Sequence, residues 1–241
     1  MLLFGSASRG GFSNVSDVDL ILVVPDGSRH EVKQQLREEV ARLEILHEFR
    51  PAGHRISGGL RARVERAVGH LFPCVVCTRS DLLSGDPARV LGLKRWEAPF
   101  VDRITFASIL GSAVTVAGED LLPRIQLPPI RRLDVYKALF AFSCQIVLSI
   151  EVFPFLDDAT KYAMGTLKHS LHNCFFCYHG RTAPLEEEVA FFRERVGARH
   201  TLAELLSLRQ EYRRSFAFVI RCLPALAQLH LRTARDKRFR S

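Results

Sequence analysis

The chain has 241 residues, enough for one large or two modest domains with buried cores. Hydrophobic residues make up 47% and charged residues 25%, the proportions of an ordinary globular protein rather than a disordered one. A formal charge of +8 suits polyanionic partners, although a nucleotide alone would satisfy it. The longest apolar runs fall far short of the ~20 residues that cross a bilayer, and no basic segment precedes an apolar core at the N-terminus. A soluble cytoplasmic protein without membrane association is therefore expected.

Leu2-Leu3-Phe4 is a short apolar run ending at Gly5-Ser6, which predicts a strand opening into a turn. Eleven residues after Ser6 stands Asp17, within Ser16-Asp17-Val18-Asp19, which runs into the apolar stretch Leu20-Ile21-Leu22-Val23-Val24. Read as a strand, Asp17 and Asp19 project from one face, roughly 7 Å apart at Cα, while Val18 and Leu20 point into a core. Two carboxylates so placed can share divalent metal ions. Mg²⁺ takes oxygen ligands, usually one or two carboxylates plus substrate phosphates, so the pair suits a nucleoside triphosphate. Gly5 lets the backbone approach a ligand, and the amide and hydroxyl of Ser6 can donate to phosphate oxygens. Arg9 is a charge partner, and Gly10-Gly11 is a second flexible point. Ser-Asp-x-Asp alone equally suits a solvated acidic turn. The discriminating feature is the order: apolar strand, Gly-Ser, Arg-Gly, Ser-Asp-x-Asp, apolar strand.

Pro25-Asp26-Gly27 predicts a turn, with Ser28 capping a helix through Leu43 or beyond. Gly58 to Val68 reads as a second helix and Phe72 to Thr78 as a β-branched, Cys-rich strand. Ser80-Asp81-Leu82-Leu83 begins a short helix. Ala113 to Ala117 gives a further strand that closes at Gly118-Glu119-Asp120-Leu121. A mixed sheet with helices on one side accommodates these elements. Three prolines between Pro123 and Pro129 mark the clearest boundary, dividing the chain into domains 1–122 and 130–241.

Beyond the boundary, apolar spacings of three and four predict helices over Leu133 to Val152, Asp158 to Tyr178, Leu185 to Val196 and Leu202 to Leu231. Pro224 should kink or restart the last of these. Asp157-Asp158 suits a helix cap. Lys161 and Lys168, seven apart, share one helix face, which serves either a phosphate or simple solvation. His169, His172 and His179 suggest a metal or RNase-type centre, against which stands the absence of an Arg-then-His spacing. The six cysteines include Cys74/Cys77 and Cys174/Cys177, whose intervening Val-Val and Phe-Phe lack the residues of a metal knuckle. Buried free thiols in a reducing compartment are the better account. Arg232, Arg235, Lys237, Arg238 and Arg240 can contact nucleic acid electrostatically, but a solvated helix end is the preferred reading.

Phe4-Gly5-Ser6, Arg9-Gly10 and Ser16-Asp17-Val18-Asp19-Leu20 together resemble the nucleotidyltransferase superfamily that includes DNA polymerase β, and within it the small bacterial and archaeal nucleotidyltransferases. The match covers about the first 24 residues. It implies an α+β fold: a polymerase-β-like mixed sheet with helices, followed by an α-helical bundle domain. It also implies triphosphate binding by Gly5, Ser6, Arg9, Gly10 and Ser16, and two Mg²⁺ ions held by Asp17 and Asp19. The implied reaction is transfer of a nucleoside monophosphate from an NTP, ATP being the expected one, to an acceptor hydroxyl with release of pyrophosphate. Related enzymes often supply a lysine to the triphosphate from the helical domain, which points to Lys161 and Lys168. The acceptor can be a small molecule, a protein or an RNA, and a homodimer is compatible with the resemblance. Relatives often carry a helix ahead of the first strand, so a natural start upstream of Met1 is also compatible.

The chain departs from the family in its third carboxylate. Relatives with transferase activity usually carry an acid on a later strand, whereas Phe72-Pro73-Cys74-Val75-Val76-Cys77-Thr78 has none; Glu48 and Asp81 do not match the position, and Glu119 and Asp120, at a strand end, read as turn or helix-capping residues. Without it, deprotonation of the acceptor and the second metal are weakened. The competing expectation is a catalytically impaired, nucleotide-binding or antitoxin-like relative that acts as a regulatory protein.

Overall fold

The computed structural model describes residues 1–5, 19–47, 74–93 and 102–236. Among these residues it is an α+β structure, mostly helical, with a small mixed four-stranded sheet. The chain separates into two compact units. The first comprises 1–101 and 109–129, and the second comprises 102–108 and 130–241. The segment 102–108, which the sequence reading put in the first domain, thus belongs to the helical unit.

In the first unit, β1 (Leu2–Phe4) and β2 (Asp19–Val24) pair antiparallel, Leu2 opposite Ile21 and Phe4 opposite Asp19. Strand β3 (Cys74–Thr78) lies parallel to β2, Leu20 beside Cys74 and Val24 beside Thr78. Strand β4 (Val114–Thr115) pairs antiparallel with β1, giving the order β3-β2-β1-β4. All five residues of β3 are buried, as are Leu2, Phe4 and Ile21, so the β-branched and aromatic content of these runs is used as core. The Met1 amine donates to the Ala117 carbonyl at 2.6 Å, fastening the start of β1 beside the end of β4.

Helix α1 (His30–Leu46) follows β2. Its N-cap is Arg29, not Ser28: the Ser28 hydroxyl donates to the Pro25 carbonyl at 2.7 Å and closes the turn instead. Helix α2 (Arg79–Leu83) starts from a capping box, in which Thr78 accepts from the Asp81 amide and Asp81 accepts from the Thr78 amide. Helix α3 (Pro87–Val90) is capped by Asp86 and opens on a proline, and α4 (Arg103–Ser112) follows. Neither α3 nor α4 is legible as apolar periodicity: one is a single turn, and the other is apolar on most sides. The helix expected over Gly58 to Val68 lies outside the described residues.

The second unit contains α5 (Arg132–Val152), α6 (Ala159–His179), α7 (Leu185–Arg193), α8 (Arg199–Gln210) and α9 (Phe216–Arg235). Ile146, Leu167, Leu171, Phe175, Phe192, Phe218, Leu226 and Leu229 form its core. The region expected as one last helix is two. It breaks over 211–215 rather than at Pro224, because the Ser215 hydroxyl caps α9 by accepting from the Phe218 amide at 3.2 Å. Pro224 stays inside α9. It forfeits the bond to the carbonyl of Ile220, and both residues are exposed, so that carbonyl can turn to water. Asp158 stands at the N-cap of α6 but makes no side-chain cap hydrogen bond, and its carboxylate pairs with Lys161 at 2.8 Å.

Buried polar pairs lock the bundle. His230 on α9 is satisfied at both ring nitrogens, Nδ1 donating to the Val135 carbonyl of α5 at 3.2 Å and Nε2 accepting from the Ser170 hydroxyl of α6. His172 and the fully buried Glu188 meet at 2.7 Å between α6 and α7. Asp102 caps α4 by accepting from the amides of Ile104 and Thr105 and from the Thr105 hydroxyl, and it takes a fourth donor from Asn173 at 2.7 Å. Among the described helices, α5 alone is long and apolar enough to cross a membrane by length and composition. Its Val135-Ala138-Phe142-Ile146 stripe is buried in the bundle.

Candidate nucleotide-binding site

Two of the residues singled out in the N-terminal motif are described, and they touch. Phe4 pairs with Asp19, so Gly5 leaves β1 directly beside the residue that opens β2. Gly5 has φ +77°, a left-handed conformation that disfavours any side chain. A Cβ built there would overlap Oδ2 of Asp19. The absent side chain is therefore the space that the Asp19 carboxylate occupies, a more specific role than backbone freedom alone. Ser6, Arg9, Gly10, Ser16 and Asp17 lie outside the described residues.

The strand geometry revises one expectation. Leu20 was expected to point into a core away from the carboxylates, but it is half-buried, and Ile21, on Asp19's own face, is 2% exposed. Asp19 thus stands at the rim of a buried face, half-buried itself, where a carboxylate keeps access to water while an apolar wall begins one residue pair further on.

Four described acids of the first unit, Asp26, Asp81, Glu119 and Asp120, are engaged elsewhere. Because β2 and β3 run parallel, Asp19 lies at the start of β3 and Asp81 beyond its end, on the order of 15 Å away at a strand rise of ~3.3 Å per residue. There Asp81 accepts from the Thr78 hydroxyl at 2.6 Å and lies 3.8 Å from Lys33. Glu119 is clamped by both ends of Arg79, at 2.6 and 3.0 Å, and by Arg124 at 2.8 Å, and these guanidinium groups hold its carboxyl below the usual range. Asp120 accepts from the Thr115 hydroxyl and the Leu122 amide, and Asp26 accepts from the Ser80 amide. Val75, beside Ile21 on Asp19's face, is the nearest described β3 position to it on that side, and it is apolar. Among the described residues, no three His, Cys, Asp or Glu side chains converge where they could hold a metal ion.

Lys161 and Lys168 both lie on α6 in the helical unit. Lys161 pairs with Asp158 and lies 4.9 Å from the Tyr212 ring centroid, while Lys168 is half-buried. His172 is engaged with Glu188, and His179 packs on Phe175 and Phe191 with centroids 4.2 and 4.9 Å apart, so the histidines contribute to packing between α6 and α7. All six cysteines are free and five are buried, and burial pushes the thiols of Cys77 and Cys174 up to about 12.

No protein-family model matches this chain, and no curated protein shows significant sequence similarity to it.

Proposed function

We propose that the chain is a Mg²⁺-dependent nucleotidyltransferase with a polymerase-β-like first unit, transferring a nucleoside monophosphate from an NTP, foremost ATP, to an acceptor hydroxyl. The observation that carries this reading is the fit of the Asp19 carboxylate into the place where Gly5 lacks a side chain, at the junction of antiparallel strands β1 and β2. The antiparallel pairing alone brings Gly5 beside Asp19; what supports the reading is that a left-handed glycine stands where a side chain would meet a carboxylate.

Carboxylate oxygens are the donors Mg²⁺ prefers, so Asp19, with Asp17 two residues earlier in sequence, fits that ion. When bound, the metal would offset triphosphate charge. The chain's own contribution is positional. Gly5 leaves room for the Asp19 carboxylate at the strand junction, the Ser6 amide and hydroxyl would donate to the phosphates, and Arg9 would add charge. In the reaction the acceptor oxygen bonds to the α-phosphorus as the bond to the pyrophosphate oxygen breaks, and the acceptor proton passes to a base.

A second reading, a nucleotide-binding regulator without turnover, is favoured by one observation: β3 carries no carboxylate. Incubating α-labelled ATP with the protein, Mg²⁺ and cell extract separates the two. The enzyme yields a labelled acceptor that disappears with Asp19→Ala, whereas the regulator binds ATP and labels nothing.

A further inference from the structure

We propose that the helical unit carries a separate binding cleft for the phosphodiester backbone of single-stranded nucleic acid, formed by Arg195, Arg232 and Arg235. Along α9, Gln228, Arg232 and Arg235 follow at i, i+4 and i+7 and share one face. Opposite them runs the turn between α7 and α8, with Arg195, Val196 and Gly197. Together with Leu231 these residues line an open cleft of about 520 Å³. Gly197 sets its width at one end, since a Cβ there would come within 3.2 Å of the Gln228 amide oxygen. Three arginines and one glutamine thus border the cleft beside the apolar Val196 and Leu231.

Two features separate it from a solvated helix end. Arg195 is already ordered: its guanidinium lies 3.8 Å from the Phe191 ring centroid and donates to the Phe191 carbonyl at 2.7 Å, so little side-chain entropy remains to be lost on binding. Arg232 and Arg235 flank the buried Thr233 and Ala234, so α9 is anchored in the bundle where they project. None of the three arginines is ion-paired with a described carboxylate, and neighbouring Asp236 accepts from the Tyr178 hydroxyl. Arginine's planar fork matches phosphate oxygens. Three such groups exceed what one phosphate dianion needs, and the cleft is open rather than closed over a single group. Consecutive phosphates of a polynucleotide satisfy both facts, and the apolar Val196 and Leu231 suit the face of a base.

The test is fluorescence anisotropy of a 5′-labelled 20-nucleotide oligo(U) with the full chain. Three phosphate contacts on a single strand predict a slope of log K against log salt of about −2, falling to about −0.7 for Arg195→Gln/Arg232→Gln. The proposal expects that double variant to lose at least tenfold in affinity. Arg209→Gln/Arg213→Gln, the same loss of charge on other parts of the unit, should change it less than twofold, with thermal unfolding curves confirming that both variants fold. Asp19→Ala should leave oligonucleotide binding intact, which keeps this cleft distinct from the nucleotide site. Equal losses in the two double variants, no binding by wild type at 50 mM salt, or displacement of the oligonucleotide by millimolar inorganic phosphate at constant ionic strength would each overturn it.

Discussion

Gly5→Ala tests the geometry of the proposed nucleotide site against an internal control. Gly5 and Gly27 both hold left-handed φ, +77° and +84°, so an alanine at either position carries a conformational cost of about 1–2 kcal/mol. They differ in what the new methyl meets: nothing within 4 Å at Gly27, and the Asp19 carboxylate at Gly5. Relief of that overlap requires Asp19 to leave its rotamer, at about 1 kcal/mol more, and moves the oxygen proposed to bind metal away from the turn. Gly5→Ala should therefore lower the unfolding free energy in urea by about 1 kcal/mol more than Gly27→Ala does. Calorimetry should show at least tenfold weaker Mg-ATP binding, about 1.4 kcal/mol, in the first variant only. Equal stability losses with unchanged affinity in both would refute the coupling of Gly5 to Asp19.

Burial holds the His230 imidazolium pKa down at about 4, against ~6.5 in an unfolded chain. Between those values the unfolded chain takes up a proton that the folded chain does not, so stability falls as pH drops from about 6.5 to 4, by on the order of 3 kcal/mol. His230→Gln should flatten that slope in urea titrations, and an unchanged slope would count against a neutral, buried imidazole. Ellman's reagent should find one fast-reacting thiol, Cys144, in the native protein and six after denaturation, and two or more fast thiols would contradict the packing of the Cys-x-x-Cys pairs. Glu188→Ala leaves His172 facing a void in the core and should cost about 3 kcal/mol, read as a lowered Tm, whereas an unaltered Tm would mean the pair is not buried as described.

Legibility in the sequence followed the range of the interactions involved. The strands at Leu2–Phe4 and Cys74–Thr78 and the long helices α5 and α6 follow from apolar content and period, because burial is what those patterns encode. Local polar competition was harder to see. Ser28 and Asp158 satisfy general rules for N-caps yet bind the Pro25 carbonyl and Lys161 instead, and Pro224 is tolerated because its helix face meets solvent. Contacts between distant segments left no local trace: Asp102 with Asn173, and Ser170 with His230. At the candidate site the sequence motif named Gly5 and Asp19 but not why they need each other, since Oδ2 fills space that only a three-dimensional register defines.

A Mg-nucleotide site built on Asp19 and Asp17 is put to the test by isothermal titration of the full chain with ATP, with and without Mg²⁺. Such a site gives saturable binding that requires Mg²⁺ and is lost in both Asp17→Ala and Asp19→Ala while their folding is retained. Binding that is indifferent to the metal, or that survives both substitutions, would contradict it.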